Sequence, residues 1–113
     1  MKNNMNRELL ADVAEKLISH LQERKDVQNI DLMNLSGFCR NCLSKWYVSA
    51  AQKRNIDINY DEARKLVYGM SYDQWKKKYQ KEATKEQLEK RKNLQKNIIN
   101  IAFQAVHCIF LLL

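Results

Sequence analysis

Apolar residues in the first part of the chain follow the period of an amphipathic α-helix. Five of them recur every four residues: Met5, Leu9, Val13, Leu17 and Leu21. Acidic residues lie between them at positions 8, 12 and 15. Because residues three or four apart share one face of a helix, this pattern predicts a helix over about residues 5–24.

Further along the chain, helical spacing alternates with polar segments. Residues 25–31 have no clear period and are rich in turn formers, and we expect Asp31 or Ser36 to cap the helix that follows. Apolar and aromatic residues return at helical spacing from Phe38. They predict a second helix that ends near residues 54–55.

Three later segments have the form of a capping box, in which a short polar side chain caps a helix and a residue three positions on bonds back. They are Asn59–Glu62, Ser71–Gln74 and Thr84–Gln87. Gly69 stands where the first of these helices should end in a left-handed turn. Together the patterns predict an all-α protein, a single small bundle of four to five helices with short links.

The composition agrees with this fold class and excludes others. The chain has 113 residues, no proline and two glycines, whereas β-sandwiches and β-barrels need turn residues every few positions. Gly37 and Gly69 are too far apart to form a Gly-rich phosphate loop. The length fits one compact domain.

Two blocks of the sequence resemble a known family. The first runs from Asp26 to Tyr47 and includes Gly-Phe-Cys-Arg-Asn-Cys-Leu-Ser-Lys-Trp-Tyr; the second runs from Asp61 to Ala83 and includes Val-Tyr-Gly-Met-Ser-Tyr-Asp-Gln-Trp-Lys. Together with the segment His-Leu-Gln-Glu-Arg at residues 20–24, they span roughly residues 7–90. On these residues the chain is similar to domain-of-unknown-function family 1244, small proteins of proteobacteria and some eukaryotes.

The resemblance carries expectations about organisation and function. It implies a small all-helical domain that self-associates, and it implies no reaction. It divides the chain into a helical domain, residues 1–92, and a divergent apolar C-terminal helix, residues 93–113. We take four residues of the first block as candidate binding residues: Asp31, Arg40, Asn41 and Trp46.

The sharpest candidate for chemistry is the pair Cys39 and Cys42. Residues three apart on a helix share a face, so both sulfurs can meet one metal ion or each other. His20 would supply a third ligand and Asp31, or a second subunit, a fourth; zinc or iron is the metal for such a set. Two alternatives stay open: the cysteines are small apolar core residues, which we favour, or they carry redox or nucleophilic chemistry.

The charge distribution raises the question of a nucleic-acid partner. The chain has 20 Lys and Arg residues against 13 Asp and Glu residues, a net charge of +7. Lysines are interleaved with Tyr72, Trp75 and Tyr79, an arrangement that can bind single-stranded nucleic acid. The same spacing is typical of a helix with aromatic side chains in the core, and we favour that interpretation.

The C-terminal run, residues 98–113, is apolar except for Asn100, Gln104 and His107. As a helix it would reach about 24 Å, short of the roughly 30 Å hydrocarbon core of a bilayer. We therefore expect an amphipathic helix that docks on the bundle or on a second subunit. Membrane contact through residues 98–113 is the alternative.

Location and function follow from what the chain contains. Three cysteines do not make a complete disulfide framework and residues 1–7 have no apolar segment of a secretory signal, so we expect a cytoplasmic protein. We predict a non-enzymatic binding or assembly module that acts as a homodimer. The alternatives are a small metal- or thiol-dependent enzyme centred on Cys39 and Cys42, and nucleic-acid binding through Lys76–Lys92.

The homodimer prediction rests on aromatic and apolar residues that are hard to bury in so small a bundle. They are Phe38, Trp46, Tyr47, Trp75 and the C-terminal run.

Overall fold

The fold consists of α-helices joined by short links. A computed structural model describes the backbone of residues 5–101 and the side chains of residues 5–96. This part of the chain forms six α-helices and no β-strand: α1 (Arg7–Glu23), α2 (Asn29–Ser36), α3 (Arg40–Lys53), α4 (Tyr60–Tyr68), α5 (Tyr72–Tyr79) and α6 (Lys85–Ile101). The prediction of an all-α protein is confirmed.

Helix α2 is the element that the sequence patterns did not predict. The apolar residues among its eight positions do not form a stripe at helical spacing. Burial does not follow residue type either, since Leu35 is exposed and the polar Asn29 is buried. The helix ends at Gly37, whose φ of +81° is favourable for glycine. The expectation that Asp31 or Ser36 caps the next helix is wrong, since both lie within α2 and Cys39 is the N-cap of α3.

The three predicted helix starts are confirmed by their hydrogen bonds. The N–H of the third helical residue donates to the cap side chain in each case: Glu62 to Asn59 (2.8 Å), Gln74 to Ser71 (3.2 Å) and Gln87 to Thr84 (3.1 Å). At the last of these the Gln87 side chain also accepts from the Thr84 N–H at 2.8 Å, which completes the box. Gly69 ends α4 with a φ of +75°, as predicted.

The core lies between the middle helices, where α3 and α4 pack most extensively. One buried cluster is formed by Val67, Tyr68 and Trp75, and the other by Met33, Cys39 and Cys42. Trp75 is 2% exposed, which confirms the core interpretation of the aromatic stripe on α5. It also shows that one reason for expecting a dimer was wrong, because this indole is buried within a single chain.

Helix α1 is attached to the core mainly through its C-terminal end. Leu21 is its buried residue, and the Gln22 amide donates to the carbonyl oxygens of Leu66 and Val67 at 3.1 and 3.2 Å. The predicted apolar stripe is present on this helix but is not covered by the described part of the chain. Its first four members, Met5, Leu9, Val13 and Leu17, are 56%, 65%, 65% and 37% exposed. We call these four residues the α1 stripe.

Helix α6 continues through residues 92 and 93 to Ile101, and the division of the chain at that point stays a prediction. Within residues 5–101, no helix combines the length and hydrophobicity needed to span a bilayer. Residues 98–101 of the apolar run belong to α6. The docking or membrane contact expected for residues 98–113 depends on side chains that lie outside the described residues.

Candidate functional site

The predicted cysteine pair lies at the start of α3, with Cys39 as its N-cap and Cys42 as its third residue. The two Sγ atoms are 3.9 Å apart, and the Cys42 Sγ also lies 3.9 Å from the Met33 Sδ. Both cysteines are fully buried against Leu32 and Phe38. The structure therefore confirms that the sulfurs meet and that they are core residues, as the favoured interpretation expected.

The third predicted metal ligand is not brought to this pair. His20 is exposed near the end of α1. Among the described residues, no three His, Cys, Asp or Glu side chains lie close enough together to hold a metal ion. Complete burial keeps dissolved reactants away from these sulfurs.

Arg40, a predicted binding residue, is instead the most fully bonded side chain of the core. It is 1% exposed, and its guanidinium donates four hydrogen bonds of 2.9–3.2 Å. The acceptors are the carbonyl oxygens of Leu21, Arg24 and Val27 and the side-chain oxygen of Asn29. Two of these carbonyls belong to the C-terminal end of α1, where the helix dipole favours a cation.

The surroundings of Arg40 compensate for its burial. Its guanidinium carbon lies 5.0 Å from the centre of the Trp75 ring, within the range of a cation–π contact. Burial lowers the pKa of Arg40, and electrostatic interactions with Tyr68, Cys39 and Asp26 partly oppose this shift. Arg40 thus joins the end of α1, the start of α2 and α5 to α3.

Asn41, another predicted binding residue, continues this polar network. The Tyr68 hydroxyl donates to the Asn41 side-chain oxygen at 2.7 Å and accepts from the Asn29 amide at 3.0 Å. Since Asn29 also accepts from Arg40, a chain of hydrogen bonds runs from Arg40 through Asn29 and Tyr68 to Asn41. Burial raises the pKa of Tyr68, which keeps the hydroxyl protonated as a donor.

The two other predicted binding residues lie elsewhere. Asp31 joins α2 to α6: its carboxylate accepts from the Gln28 N–H at 3.3 Å and from the Gln87 side chain at 2.8 Å. Trp46 is 53% exposed on α3 and packs against Phe38, with ring centres 5.9 Å apart. The structure therefore brings Arg40 and Asn41 into one network and leaves Asp31 and Trp46 apart from it.

A concave site that the sequence did not indicate lies beside α2. It is a cavity of about 240 Å³ between the start of α2, the link from α5 to α6, and α6 itself. Arg91 of α6 lines this cavity and is 3% exposed. In the sequence Arg91 stands between Lys90 and Lys92, and only the tertiary structure shows that α6 packs it against α2.

Most of these features lie in a segment that matches a known protein family. Residues 27–93, more than half of the chain, match the family described as "Protein of unknown function (DUF1244)". The chain belongs to the DUF1244 family. No curated protein matches the chain. The DUF1244 segment contains α2 to α5 and the first part of α6, and therefore includes Arg40, Asn41, the cysteine pair and Arg91. Helix α1 with its exposed stripe lies before the matched segment.

Proposed function

We propose that the protein is a non-enzymatic assembly module that forms a homodimer through the α1 stripe. The observation that carries this proposal is the exposure of four large apolar side chains: Leu9, Val13 and Leu17 on one face of α1, and Met5 just before the N-cap Asn6. From Leu9 to Leu17 the stripe runs about 12 Å along α1 at 1.5 Å per residue. Contiguous apolar surface of this kind on a soluble domain marks a site of protein association.

A second copy of the chain fits this face because of the charges beside it. Glu8, Asp12 and Lys16 follow one another at four-residue spacing along one flank of the stripe. In an antiparallel pair of α1 helices, that flank of one copy faces the same flank of the other in reverse order. The acidic groups of each helix then lie near Lys16 of its partner. A twofold dimer is self-complementary in this sense.

A test of this proposal is the mass of the full chain in solution, measured by analytical ultracentrifugation. We expect twice the monomer mass of 13.5 kDa for the natural sequence. Val13→Lys places a charge in the middle of the stripe and should give the monomer mass. Circular dichroism should show that the variant keeps its helix content, since Val13 is 65% exposed in the single chain.

Leu35→Lys is the matched control. Leu35 is 83% exposed on α2 and is not part of the α1 stripe, so this variant should stay dimeric. A natural sequence that is monomeric, or a Val13→Lys variant that dimerises as well as the Leu35→Lys control, would contradict the proposal.

The alternatives receive less support from the described contacts. An enzyme built on the cysteine pair would need substrate to reach sulfurs that are fully buried. A nucleic-acid site on α5 would need Trp75 as a stacking platform, and Trp75 lies in the core.

A further inference from the structure

The cavity beside α2 has the size of a small-molecule site. Its volume of about 240 Å³ equals that of about eight water molecules at roughly 30 Å³ each. Its lining includes Asn29 and Ile30 from the start of α2, Tyr72 from α5, Lys81 from the following link, and Arg91 from α6. This volume is sufficient for a small organic ion.

Arg91 is buried in this cavity without a partner. Its Nε, Nη1 and Nη2 atoms are all inaccessible to solvent, and none has a hydrogen-bond acceptor among the residues that the structure describes. No carboxylate in the same part of the chain forms an ion pair with it. Burial lowers the pKa of Arg91. A buried cation is costly unless it is paired, so an anion from outside the described chain would satisfy the guanidinium.

The walls of the cavity are held in place by groups that do have partners. Gln28 is 8% exposed, and its amide donates to the Tyr79 carbonyl at 2.9 Å and accepts from the Lys81 N–H at 2.8 Å. These two bonds fix the end of α5 and the following link against the start of α2. The cavity is therefore a built feature with Arg91 in its wall, and the Arg91 guanidinium lies closed off behind that wall in the unliganded chain.

One other positive side chain and the start of a helix border the same space. Lys81 lines the cavity, and one acidic residue, Glu82, lines it as well. Asn29 and Ile30 are the first two residues of α2, whose N–H groups have no acceptor within the helix. The N-terminal end of a helix favours an anion. The charge of the lining and the direction of the α2 dipole agree with the unpaired Arg91.

We propose that this cavity binds the carboxylate or phosphate group of a small organic anion. For this the Arg91 side chain turns its guanidinium into the cavity, where it holds two of the anion's oxygens in a bidentate arrangement, and Lys81 and the start of α2 contribute positive charge. This site is separate from the α1 stripe and does not depend on the dimer.

Inorganic phosphate and succinate are suitable probes for the shared oxyanion chemistry. Each is titrated into the full-length protein at constant ionic strength, with sodium chloride as the reference salt, and the melting temperature is followed. A ligand that binds the folded chain raises the melting temperature in a saturable way. We expect this for at least one of the two anions, and the one with the larger effect distinguishes a phosphate ligand from a carboxylate ligand.

Variants of α6 locate the effect. Arg91→Met should weaken the binding of that anion about tenfold or more, because it removes the bidentate donors. Lys90→Met removes the same charge from an exposed neighbouring position and should leave binding unchanged. Arg91→Lys keeps the charge without the planar fork and should give an intermediate affinity.

Chemical-shift mapping of the natural sequence provides a test that does not require any variant to fold. Addition of the anion should shift the backbone amide signals of Asn29, Ile30 and Lys81, and leave those of the α1 stripe unchanged. If neither anion stabilises the protein beyond sodium chloride, the proposal is overturned. It is also overturned if Arg91→Met responds like Lys90→Met, or if the shifted signals lie outside the cavity.

Discussion

Two arginines are buried in this small protein, and their surroundings differ in almost every respect. Arg40 is 1% exposed, donates four hydrogen bonds and stacks on Trp75. Arg91 is 3% exposed, and its guanidinium has no hydrogen-bond partner among the described residues. Asn29 connects the two environments, because its side chain accepts from Arg40 and it also lines the cavity of Arg91.

The difference between the two sites separates a structural role from a binding role. Burying a charge costs free energy, and hydrogen bonds to the charged group offset that cost. For Arg40 the folded chain supplies every acceptor, so the residue is part of the architecture. For Arg91 the described chain supplies none, and a bound anion would offset the cost. The same residue type thus stabilises the fold at one position and is available for a ligand at the other.

Arg40→Met should have the largest effect on stability. The substitution removes a donor from four oxygen atoms, and the bonds to the Leu21 carbonyl and the Asn29 side chain are buried. We expect the free energy of unfolding to fall by about 3–5 kcal/mol, as when one partner of a buried charged network is removed. Urea denaturation at a fixed protein concentration measures this change, because the stability of a dimer depends on concentration.

Arg54→Met is the matched control for that measurement. Arg54 caps the other end of α3, and its guanidinium makes an exposed bond of 2.9 Å to the Ala50 carbonyl oxygen. Its loss should change the free energy of unfolding by about 0.5 kcal/mol or less. If Arg40→Met lowered the free energy of unfolding no more than Arg54→Met does, the network around Arg40 would not be a major source of stability.

Tyr68→Phe should have the second largest effect, because it interrupts the network beyond Arg40. The variant keeps the ring in the core and removes the hydroxyl that links Asn29 to Asn41. Two buried amide groups each lose a partner, so we expect a loss of about 1–3 kcal/mol in the free energy of unfolding. Tyr47→Phe, at a side chain that is 43% exposed, is the control and should have no measurable effect. Equal stabilities of the two variants would contradict this prediction.

The pH dependence of stability provides a second measurement for Tyr68. Its pKa is raised in the folded chain from the ordinary value of 10.0, and the cause is burial. Above pH 10 the unfolded chain therefore binds fewer protons than the folded chain at this site, and stability falls as the pH rises. The slope from one such group is about 1.4 kcal/mol per pH unit, and Tyr68→Phe should remove that part of the alkaline slope.

The sequence predicted those parts of the molecule that depend on local patterns. The caps at Asn59, Ser71 and Thr84 and the end of α4 at Gly69 involve residues at most a few positions apart, and all are confirmed. Helix α2 was missed because its apolar residues have no helical period; contacts with α6 and with the core stabilise it instead.

The candidate site was predicted less well, since it depends on contacts between residues far apart in the chain. The pairing of Cys39 with Cys42 is local and was found. The network from Arg40 to Tyr68 joins residues 28 positions apart, and no spacing rule predicts it. Arg91 has the same sequence surroundings as the exposed Lys90 and Lys92, and only the packing of α6 on α2 distinguishes it.

Arg91→Met should have the smallest effect on the free energy of unfolding, and its sign should be opposite to that of Arg40→Met. In sodium chloride alone the variant removes a buried charge that has no partner in the described chain, and the methionine side chain fills much of the same volume. Replacing such a charge with an apolar group is neutral or stabilising, so we expect a gain of about 0–1 kcal/mol in urea denaturation. With phosphate or succinate added, the natural sequence should gain stability while the variant does not. A loss of about 2 kcal/mol or more in the free energy of unfolding, measured in sodium chloride, would show that Arg91 stabilises the fold as Arg40 does. The two sites would then not differ in role.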